Sequence, residues 1–465
     1  MSVFSTHFLR MWSGKCIFVA KIALLCQIKC RMAYLHEKDN WTDFYWNQDE
    51  VAMLLDRVSR AQGRLFGRLE GLGFESQLKA TAENLLADIV GSSAIEGIRL
   101  NTDEVRSSIA RHLGIENVKD VASSHYVDSV VSVMLDAMEH YDRPLSREQL
   151  CAWQAAFFPT GTSEGRVIET GRYRTGEEYV VSGMFGKEKI HYIAPAPERV
   201  DGEMQKFIEW LNAPHHVSEV LCSAIAHIWF VSIHPFEDGN GRLGRILADM
   251  LLARADGSKF RFYNISSEIL RDKNHYYDII ERVQQGNGDL TEWFLWYLGT
   301  LQKAIGNANQ AVTITLSKSF FWMHFAQTVM NERQRNTLNL FLDGYEAKIT
   351  SKNWAAMNKC SRDTAIRDIA DLVEKQVLLI DVPDAKRPTY SINYAGPGND
   401  SFAGITNVHV DTHDGTPYLV ATYQGNEVAE RILALDAARV TRGEISPTTL
   451  VGKYLSHLIA GQPQH

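Results

Sequence analysis

Residues 234–245 read His-Pro-Phe-Glu-Asp-Gly-Asn-Gly-Arg-Leu-Gly-Arg and bring several side chains that could bind and react with an anion into one short stretch. The small residues at 239–241 accept backbone conformations that are closed to most residues, and successive amides in such a turn can hold an anion. The apolar, proline-free segment Arg242–Ala253 predicts a helix whose free N–H groups and positive dipole end face the same anion. The stretch therefore predicts an anion site at a helix N-terminus.

Four charged or titratable side chains surround this predicted turn. Arg242 and Arg245 are neighbours on the predicted helix, where two permanently charged guanidinium groups suit a polyphosphate. Asp238 offers a hard oxygen ligand beside the anion, which suits Mg²⁺ shared with phosphates. His234, at the other end of the turn, can accept a proton near neutral pH. Together these residues predict a site for a Mg²⁺-bound polyphosphate with a base beside it.

The segment before this stretch predicts the scaffold that holds it. Residues 219–233 are apolar on nearly all sides, which is typical of a buried helix, so the stretch becomes a loop between two core helices. Phe236 is expected to anchor the loop by packing, and Glu237 is most simply a solvated side chain. We expect His227 to be structural.

The stretch 234–245 resembles the signature of the Fic family, His-x-Phe-x-Asp/Glu-Gly-Asn-Gly-Arg-x-x-Arg, at every fixed position. This resemblance implies an enzyme, a protein adenylyltransferase that moves AMP from ATP to a Ser, Thr or Tyr hydroxyl of a target protein. It further implies ATP as co-substrate, Mg²⁺ as cofactor, and self-modification and a homodimer as options to test.

The resemblance also assigns roles to single residues. His234 would take the proton of the target hydroxyl, Asp238 would hold Mg²⁺, and Asn240 would help to stabilise charge on the α-phosphate. Phosphate binding is assigned to Gly239, Asn240, Gly241, Arg242 and Arg245. By family position Tyr277 and Gln284, which share a helix face seven residues apart, line the adenine pocket, although simple core packing explains the aromatic residue nearly as well.

A second resemblance lies upstream, where residues 92–97 read Ser-Ser-Ala-Ile-Glu-Gly. They resemble the Fic inhibitory motif, Ser/Thr-x-x-x-Glu-Gly/Asn. The alternative is an exposed Glu96 near a helix end, but its charge would oppose the helix dipole there, which favours a partner. We expect Glu96 to pair with Arg245 in a partly buried contact and to hold the resting protein inactive.

The segment between these two motifs contains a predicted hairpin. Residues 171–174 and Tyr179–Ile193 look β-rich, with Gly183 and the pair Gly186-Lys187 as turn signals. This pattern resembles the Fic flap, which implies that a target protein lies along the strand near Ile190–Ile193 by strand-like pairing. The alternative is an ordinary surface hairpin.

Residues 32–115 predict an N-terminal helical region ahead of a Fic catalytic domain at 116–305. Apolar residues at helical intervals between Val51 and Leu69 predict one helix, packed by the aromatic cluster at 41–46. A second predicted helix, Leu78–Glu96, is ended by Gly97. The region resembles the helical part that often precedes bacterial Fic domains.

Residues 325–395 predict a winged helix-turn-helix domain. Its predicted elements are the helices Glu332–Asp343, Ile349–Met357 and Ser361–Lys375, with Ser361 as N-cap, and the strands Val377–Ile380 and Thr389–Ile392 around a wing at Asp384–Arg387. A DNA-reading helix should be basic, whereas Ser361–Lys375 is close to charge-neutral. Weak DNA contact and protein contact therefore stay equal alternatives.

Both ends of the chain are less informative. Residues 400–465 predict a small α/β module of unknown role, in which strands Ile405–Val410 and Tyr418–Tyr423 flank Asp414-Gly415 and one or two helices follow. The leader 1–31 has an apolar run that is too short and too charged to span a membrane. We interpret Met32 as the natural start, with a peripheral N-terminal arm as the alternative.

Composition supports an ordinary globular chain. The chain has 465 residues, a net charge of −8 and 22% charged residues, which disfavours nucleic-acid binding by bulk charge. The six cysteines show no disulfide framework, so we expect a reducing, cytoplasmic setting without membrane association.

These patterns predict a mainly α protein. A Fic helical core with a β-hairpin flap is followed by the winged helix-turn-helix domain and the small α/β module. The predicted function is an autoinhibited protein adenylyltransferase. Two alternatives stay open, namely removal of AMP by the same site and a non-enzymatic, ATP-sensing regulator.

Overall fold

The computed structural model describes residues 33–70, 74–116, 118–163, 165–182, 189–345, 347–381, 388–394, 396, 405–413, 415–423 and 426–455. Four predicted features lie outside these residues: the leader 1–31, the flap turn signals Gly183, Gly186 and Lys187, the wing at Asp384–Arg387, and Asp414. The described part is mainly helical, as predicted. The described residues divide into two compact units, the first formed by those within Met1–Gln62 and Phe74–Ile305, the second by those within Gly63–Gly73 and Gly306–His465.

The N-terminal helices follow the predicted pattern. After a short 3-10 turn at Leu35–Glu37 come α1 (Gln48–Leu69), α2 (Phe74–Ile95) and α3 (Thr102–Leu113). Helix α2 begins four residues before the predicted start, and Gly97, with a φ of +80°, follows its end. Glycine accepts this left-handed conformation without strain, so the chain can turn directly after Glu96.

The segment between the N-terminal helices and the motif mixes helices with two short hairpins. Its elements are α4 (His125–Glu139), α5 (Arg147–Ala156), β1 (Thr162–Ser163), β2 (Arg166–Val167), β3 (Tyr179–Ser182) and β4 (Lys189–Ile193). Strands β3 and β4 pair antiparallel and form the predicted hairpin. The prediction of β structure at 171–174 is wrong, because this stretch is an irregular loop in which Arg174 is buried.

The motif lies between two core helices, as predicted. The helices of this part are α6 (Pro197–Asn212), α7 (Glu219–Ile233), α8 (Asn240–Asp256), α9 (Ile265–Arg271), α10 (Lys273–Gln284) and α11 (Thr291–His324). Ser218 caps α7 by accepting a hydrogen bond from the backbone of Val220, and every residue of α7 after Glu219 is buried. Helix α7 is apolar all round, so it can be stable only in the middle of the core.

The second unit contains the element order that the sequence predicted for residues 325–395. Helices α12 (Glu332–Leu342), α13 (Ser351–Met357) and α14 (Arg362–Glu374) precede the antiparallel strands β5 (Leu378–Ile380) and β6 (Tyr390–Ile392). Ser361 caps α14 through its side chain, as predicted. Phe321, Leu338 and Trp354 belong to the core beneath these elements. That these elements form a winged-helix domain stays a prediction.

The C-terminal module has three strands where two were predicted. Strands β7 (Ile405–His413), β8 (Thr416–Tyr423) and β9 (Asn426–Arg431) form one antiparallel sheet with β8 in the centre. Strand β9 reads Asn-Glu-Val-Ala-Glu-Arg, and this polar sequence gave little strand signal. Helices α15 (Ala434–Thr441) and α16 (Val451–Tyr454) follow. Within the described ranges no helix is long and apolar enough to cross a bilayer.

Candidate functional site

The loop between α7 and α8 is shaped by two residues with positive φ. His234, directly after α7, has a φ of +52°, and Gly239, the N-cap of α8, has a φ of +92°. Such angles are uncommon outside glycine, so His234 is held in a strained conformation, as is often seen at functional sites. At Gly239 an added Cβ atom would lie only 3.3 Å from the ring of Phe158. The turn therefore requires glycine at this position.

The predicted amide nest over residues 239–241 is only partly right. Asn240 and Gly241 already belong to the first turn of α8, and Gly239 alone is left-handed. The free N–H groups are therefore those of a regular helix N-terminus, which still favours an anion through its dipole. The helix begins two residues earlier than predicted because no residue of 240–253 breaks it.

The side chain of Asn240 holds the loop together. Its Oδ1 accepts a hydrogen bond from the backbone N–H of Phe236 at 3.0 Å, and its Nδ2 donates to the carbonyl of Phe236 at 2.7 Å. The side chain is buried, and so is the Phe236 ring, which packs as predicted. Because both polar atoms of the amide bind the loop, this side chain positions the turn instead of pointing at a ligand.

His234 presents one ring nitrogen for chemistry. Its Nδ1 lies 3.2 Å from the carbonyl of Val231, which can only accept, so Nδ1 carries the proton of the neutral ring. Nε2 is then left as the proton acceptor. The imidazole is half-buried, and this burial, helped by the charge of Arg174, lowers its pKa from 6.5 to about 4. The ring is therefore neutral and able to act as a base at physiological pH.

Arg174 is a positioning residue that the sequence pattern did not reveal. It is buried, and its guanidinium donates to the carbonyls of His234 at 2.8 Å, Gly176 at 2.8 Å and Pro195 at 2.6 Å. Its backbone N–H also donates to the carbonyl of Pro235. This residue thus ties the irregular loop at 171–178 to the motif and fixes the backbone at His234.

Arg242 is buried and restrained at the start of α8. Its guanidinium stacks over the rings of Phe157 and Phe158 at 4.7 and 5.1 Å, and its Nη1 donates to the hydroxyl of Tyr126 at 2.7 Å. Its Nη2 lies 3.8 Å from a carboxylate oxygen of Asp238. The stacking holds the planar cation in one orientation.

The two carboxylates of the motif have different surroundings. Asp238 is partly exposed and accepts a hydrogen bond from the hydroxyl of Ser163 in the small hairpin β1–β2. The expectation that Glu237 is simply solvated is wrong, because its carboxylate accepts from the backbone N–H of Glu169 at 2.9 Å. Of the two, Asp238 lies beside the helix N-terminus and keeps solvent access, as a metal ligand would need.

Glu96 occupies the helix N-terminus in this structure. Its Oε1 accepts a hydrogen bond from Nη2 of Arg245 at 2.8 Å, and a Cβ atom added at Gly241 would clash with the same oxygen. Arg245 also donates to the hydroxyl and the carbonyl of Ser92, each at 2.9 Å, while its Nη1 has no hydrogen-bond partner among the described residues. The pairing expected from the sequence is thus present, with the guanidinium fully buried.

Burial and charge act in opposite directions on Glu96. Desolvation alone would raise the pKa of this carboxyl, but the charge of Arg245 and the hydrogen bond from it outweigh burial, so the pKa lies below the ordinary glutamate value. Glu96 is therefore ionised at neutral pH. Its carboxylate brings negative charge to the position where a phosphate would meet the helix dipole and Arg245.

Tyr277, in the first half of α10, and Gln284, its last residue, have different surroundings. The hydroxyl of Tyr277 lies 3.4 Å from Oε2 of Glu96, so this residue borders the site. Gln284 is buried and reaches the end of α7, with its Nε2 3.4 Å from the hydroxyl of Ser232. The structural role expected for His227 is confirmed, since it is buried and hydrogen-bonded to Tyr276 at 2.8 Å.

The sequence of residues 144–252 matches the Fic/DOC family model, and residues 34–115 match a domain of unknown function, DUF4172. The chain is 24% identical over 252 residues to the protein adenylyltransferase Fic of Nematostella vectensis, with 50% of this chain and 51% of that protein covered. It is 40% identical over 90 residues to the protein of the same name from Drosophila virilis, covering 19% of this chain and 17% of the other. A solved Fic family protein from Desulfovibrio desulfuricans superposes with a TM-score of 0.46 at 21% identity, covering 76% of this chain and 98% of that one.

The motif 234–245 lies inside the segment that matches the Fic/DOC model. The findings therefore show a Fic/DOC family domain at residues 144–252 of this chain. The chain spans about half of the length of the Nematostella relative and about a sixth of the Drosophila one.

Proposed function

We propose that this protein is an adenylyltransferase that moves AMP from ATP to a Ser, Thr or Tyr hydroxyl of a target protein. One observation carries the proposal: a base with a fixed free nitrogen, His234, lies one short turn from a helix N-terminus with two buried arginines. The name protein adenylyltransferase, which relatives of this family carry, supports it.

In this proposal each residue around the turn has one task. His234 accepts the proton of the attacking hydroxyl at Nε2, because its Nδ1 is held by the carbonyl of Val231. The first amides of α8, with Arg242 and Arg245, bind the phosphates and stabilise the charge that develops at the α-phosphate. Asn240 contributes by holding the turn in shape, so that the amides are placed before ATP binds.

Asp238 is the residue that would hold Mg²⁺. It supplies one partly exposed carboxylate next to the helix N-terminus, and Mg²⁺ in phosphate sites commonly uses one or two carboxylates together with phosphate oxygens and waters. No group of three or more metal-ligating side chains occurs among the described residues, which agrees with a metal held largely by the nucleotide. The ion would supply positive charge against the phosphates.

The hairpin β3–β4 is the place where the acceptor protein would lie. Among the described residues it has two strands. A target segment is proposed to add as a strand near Ile190–Ile193, where it would replace the side chains of Gln285 and His36 on the carbonyls of His191 and Ile193. Tyr277 is proposed to border the adenine and Gln284 to hold the end of α7 beneath it. The two residues thus have different proposed roles, whereas their family positions implied that both line the adenine pocket.

We further propose that Glu96 restrains the enzyme. Its carboxylate takes the anion position on Arg245, so ATP could bind only with its phosphates displaced from the in-line arrangement. The side chain of Glu96 is 28% exposed whereas that of Arg245 is 2% exposed, so the carboxylate can leave while the arginine stays in place. Inhibition is then a population shift between two arrangements of Glu96.

The remaining expectations are proposals of the same kind. They are the domain division at 32–115, 116–305, 325–395 and 400–465, the winged-helix nature of the third segment, a homodimer, weak DNA contact and a cytoplasmic setting. None of these proposals is needed for the AMP transfer described above.

The proposal is tested with labelled ATP and intact-mass analysis of the Glu96→Gly protein, alone and mixed with cell lysate. We expect a mass gain of one AMP on proteins, reduced by about 10²–10⁴-fold when His234→Ala is added. The control is His216→Asn, which alters an exposed histidine outside the loop.

Two outcomes would contradict the proposal. Loss of AMP from modified proteins in reactions with the wild-type protein, with no addition by either the wild type or Glu96→Gly, would favour the reverse reaction, with Glu96 positioning a water. ATP binding without any transfer, unchanged by His234→Ala, would favour an ATP-sensing regulator.

A further inference from the structure

A second set of reactive residues lies on the hairpin β3–β4, outside the motif. The hydroxyl of Ser182 lies 2.5 Å from Nε2 of His191, and Nδ1 of His191 lies 2.6 Å from Oε2 of Glu281. A hydroxyl, an imidazole and a carboxylate in this order form the arrangement that activates serine nucleophiles. We call these three residues the flap triad.

The position of His191 results from a local irregularity of the hairpin. Val180 pairs with Tyr192 and Val181 pairs with Ile190, so His191 is the extra residue of a β-bulge. A bulge re-aims side chains that a regular ladder would place elsewhere, and bulges are enriched next to active sites. Here it turns the imidazole toward both Ser182 and helix α10.

The imidazole is held from both sides. Glu281 can only accept, so Nδ1 of the neutral ring donates to it, and Nε2 accepts the hydroxyl proton of Ser182. Gln285 adds donations from Nε2 to the carbonyl of His191 at 3.3 Å and to Oε1 of Glu281 at 3.2 Å. Ser182 is therefore a polarised hydroxyl with its base already in place, which an ordinary surface serine lacks.

The flap triad is connected to the motif through α10. Tyr277 and Glu281 are four residues apart, so they are neighbours on one face of this helix. The hydroxyl of Tyr277 approaches the carboxylate of Glu96, which binds Arg245. His191, the partner of Ser182, therefore contacts the same face of α10 that borders the proposed nucleotide site, and Ser182 lies on the hairpin where an acceptor hydroxyl is expected.

From this geometry we propose that Ser182 is an acceptor of AMP within the protein itself, activated by His191 and Glu281. The inference rests on the proposed adenylyltransferase activity. A bond forms between Oγ of Ser182 and the α-phosphorus of ATP, while the bond from that phosphorus to the bridging oxygen of pyrophosphate breaks. The hydroxyl proton passes to Nε2 of His191, and pyrophosphate leaves. Glu281 acts as a positioning residue.

The experiment uses the full chain carrying Glu96→Gly, incubated with ATP and Mg²⁺, digested and mapped by mass spectrometry. We expect AMP on the peptide that contains Ser182, none there in Ser182→Ala, and retention in Ser182→Thr. His191→Asn should lower this labelling by about 10²-fold or more. Tyr179→Phe is the matched control, because it removes a hydroxyl from the same strand whose proton goes to Glu177, and it should leave Ser182 labelled.

The same reactions with lysate separate this inference from the activity on which it rests. Labelled lysate proteins with an unmodified Ser182 would overturn the inference and leave the proposed function intact. The flap triad would then have only a structural role, connecting the hairpin with α10. Equal labelling of Ser182 in His191→Asn would overturn the role of the imidazole as base. No labelling of any protein would overturn both proposals.

Discussion

Two ionic clusters connect helix α2 with helix α8, and they differ in their access to solvent. The outer cluster contains Ser92, Glu96 and Arg245, and its carboxylate is 28% exposed. The inner cluster contains Asp88, Asp249, Asp256 and Arg261. In the inner cluster the side chains of Asp249 and Asp256 are 2% and 1% exposed, and both carboxylates bind Arg261 at 3.0 Å.

The ion pair of Glu96 with Arg245 can open while the protein stays folded, whereas the ion pairs of Arg261 in the inner cluster cannot. Glu96 can regain hydration when it leaves, and Arg245 keeps its hydrogen bonds to the hydroxyl and carbonyl of Ser92, so opening leaves one buried charge that still has polar partners. Opening the inner cluster would leave buried charges without partners, which costs far more. In the proposed function, the same two helices stay fixed at their inner end while Glu96 at the outer end is exchanged for a phosphate of ATP.

Removing Arg261 should have the largest effect. Arg261→Ala leaves Asp249 and Asp256 without their cation, and breaking a buried pair in this way costs about 3–5 kcal/mol. Glu96→Ala in the outer cluster should cost less, because Arg245 keeps its two hydrogen bonds to Ser92 and the lost carboxylate is 28% exposed. Urea unfolding followed by tryptophan fluorescence measures both variants. Equal losses of unfolding free energy in the two variants would contradict the difference between the two clusters.

The contributions of the two clusters to folding stability should change with pH in opposite directions. Burial raises the pKa of both Asp88 and Asp249, and the neighbouring carboxyl of Asp88 raises that of Asp249 further, so the two carboxyls hold a proton between them in the folded protein. The stability from this proton is present below the ordinary aspartate pKa and is lost as the pH rises through the raised value. Glu96 has a lowered pKa, so its contribution is present above the ordinary glutamate pKa and is lost as the pH falls.

Unfolding free energies measured across pH check these signs. Asp88→Asn should flatten the decline on the alkaline side, and Glu96→Gln should flatten the decline in acid, each by less than the loss from Arg261→Ala. If Asp88→Asn instead flattens the acid side, the proton is not shared in the way described.

The sequence predicted much of the fold and the motif, for identifiable physical reasons. Helix α7 is apolar on all sides and the turn before α8 carries glycine, so both were visible in the pattern of residues. The charge of Glu96, placed against its own helix dipole, indicated a partner, and the resemblance to the Fic inhibitory motif implied that this partner is Arg245. The third strand of the C-terminal sheet was missed because its sequence is polar.

Residues that act through the tertiary structure left no signal in the sequence. Arg174 binds the carbonyl of His234 across 60 positions, and Tyr126 binds Arg242 across 116. The bulge at His191 depends on strand register, which a single sequence does not specify. Asn240 was placed in the right turn, but its amide binds the loop backbone, which only coordinates can show.

The central claim, that Glu96 on Arg245 holds the enzyme inactive, is tested most directly by rates of AMP transfer. These are measured for the wild type, Glu96→Gly and the isosteric, uncharged Glu96→Gln over a range of ATP concentrations. We predict that Glu96→Gly exceeds the wild type by about tenfold or more, which corresponds to a shift of about 1.4 kcal/mol between the two arrangements. Glu96→Gln should lie between them, and Arg245→Ala should not mimic either, because that arginine also serves the phosphates. Equal rates for the wild type and Glu96→Gly at every ATP concentration would contradict the claim.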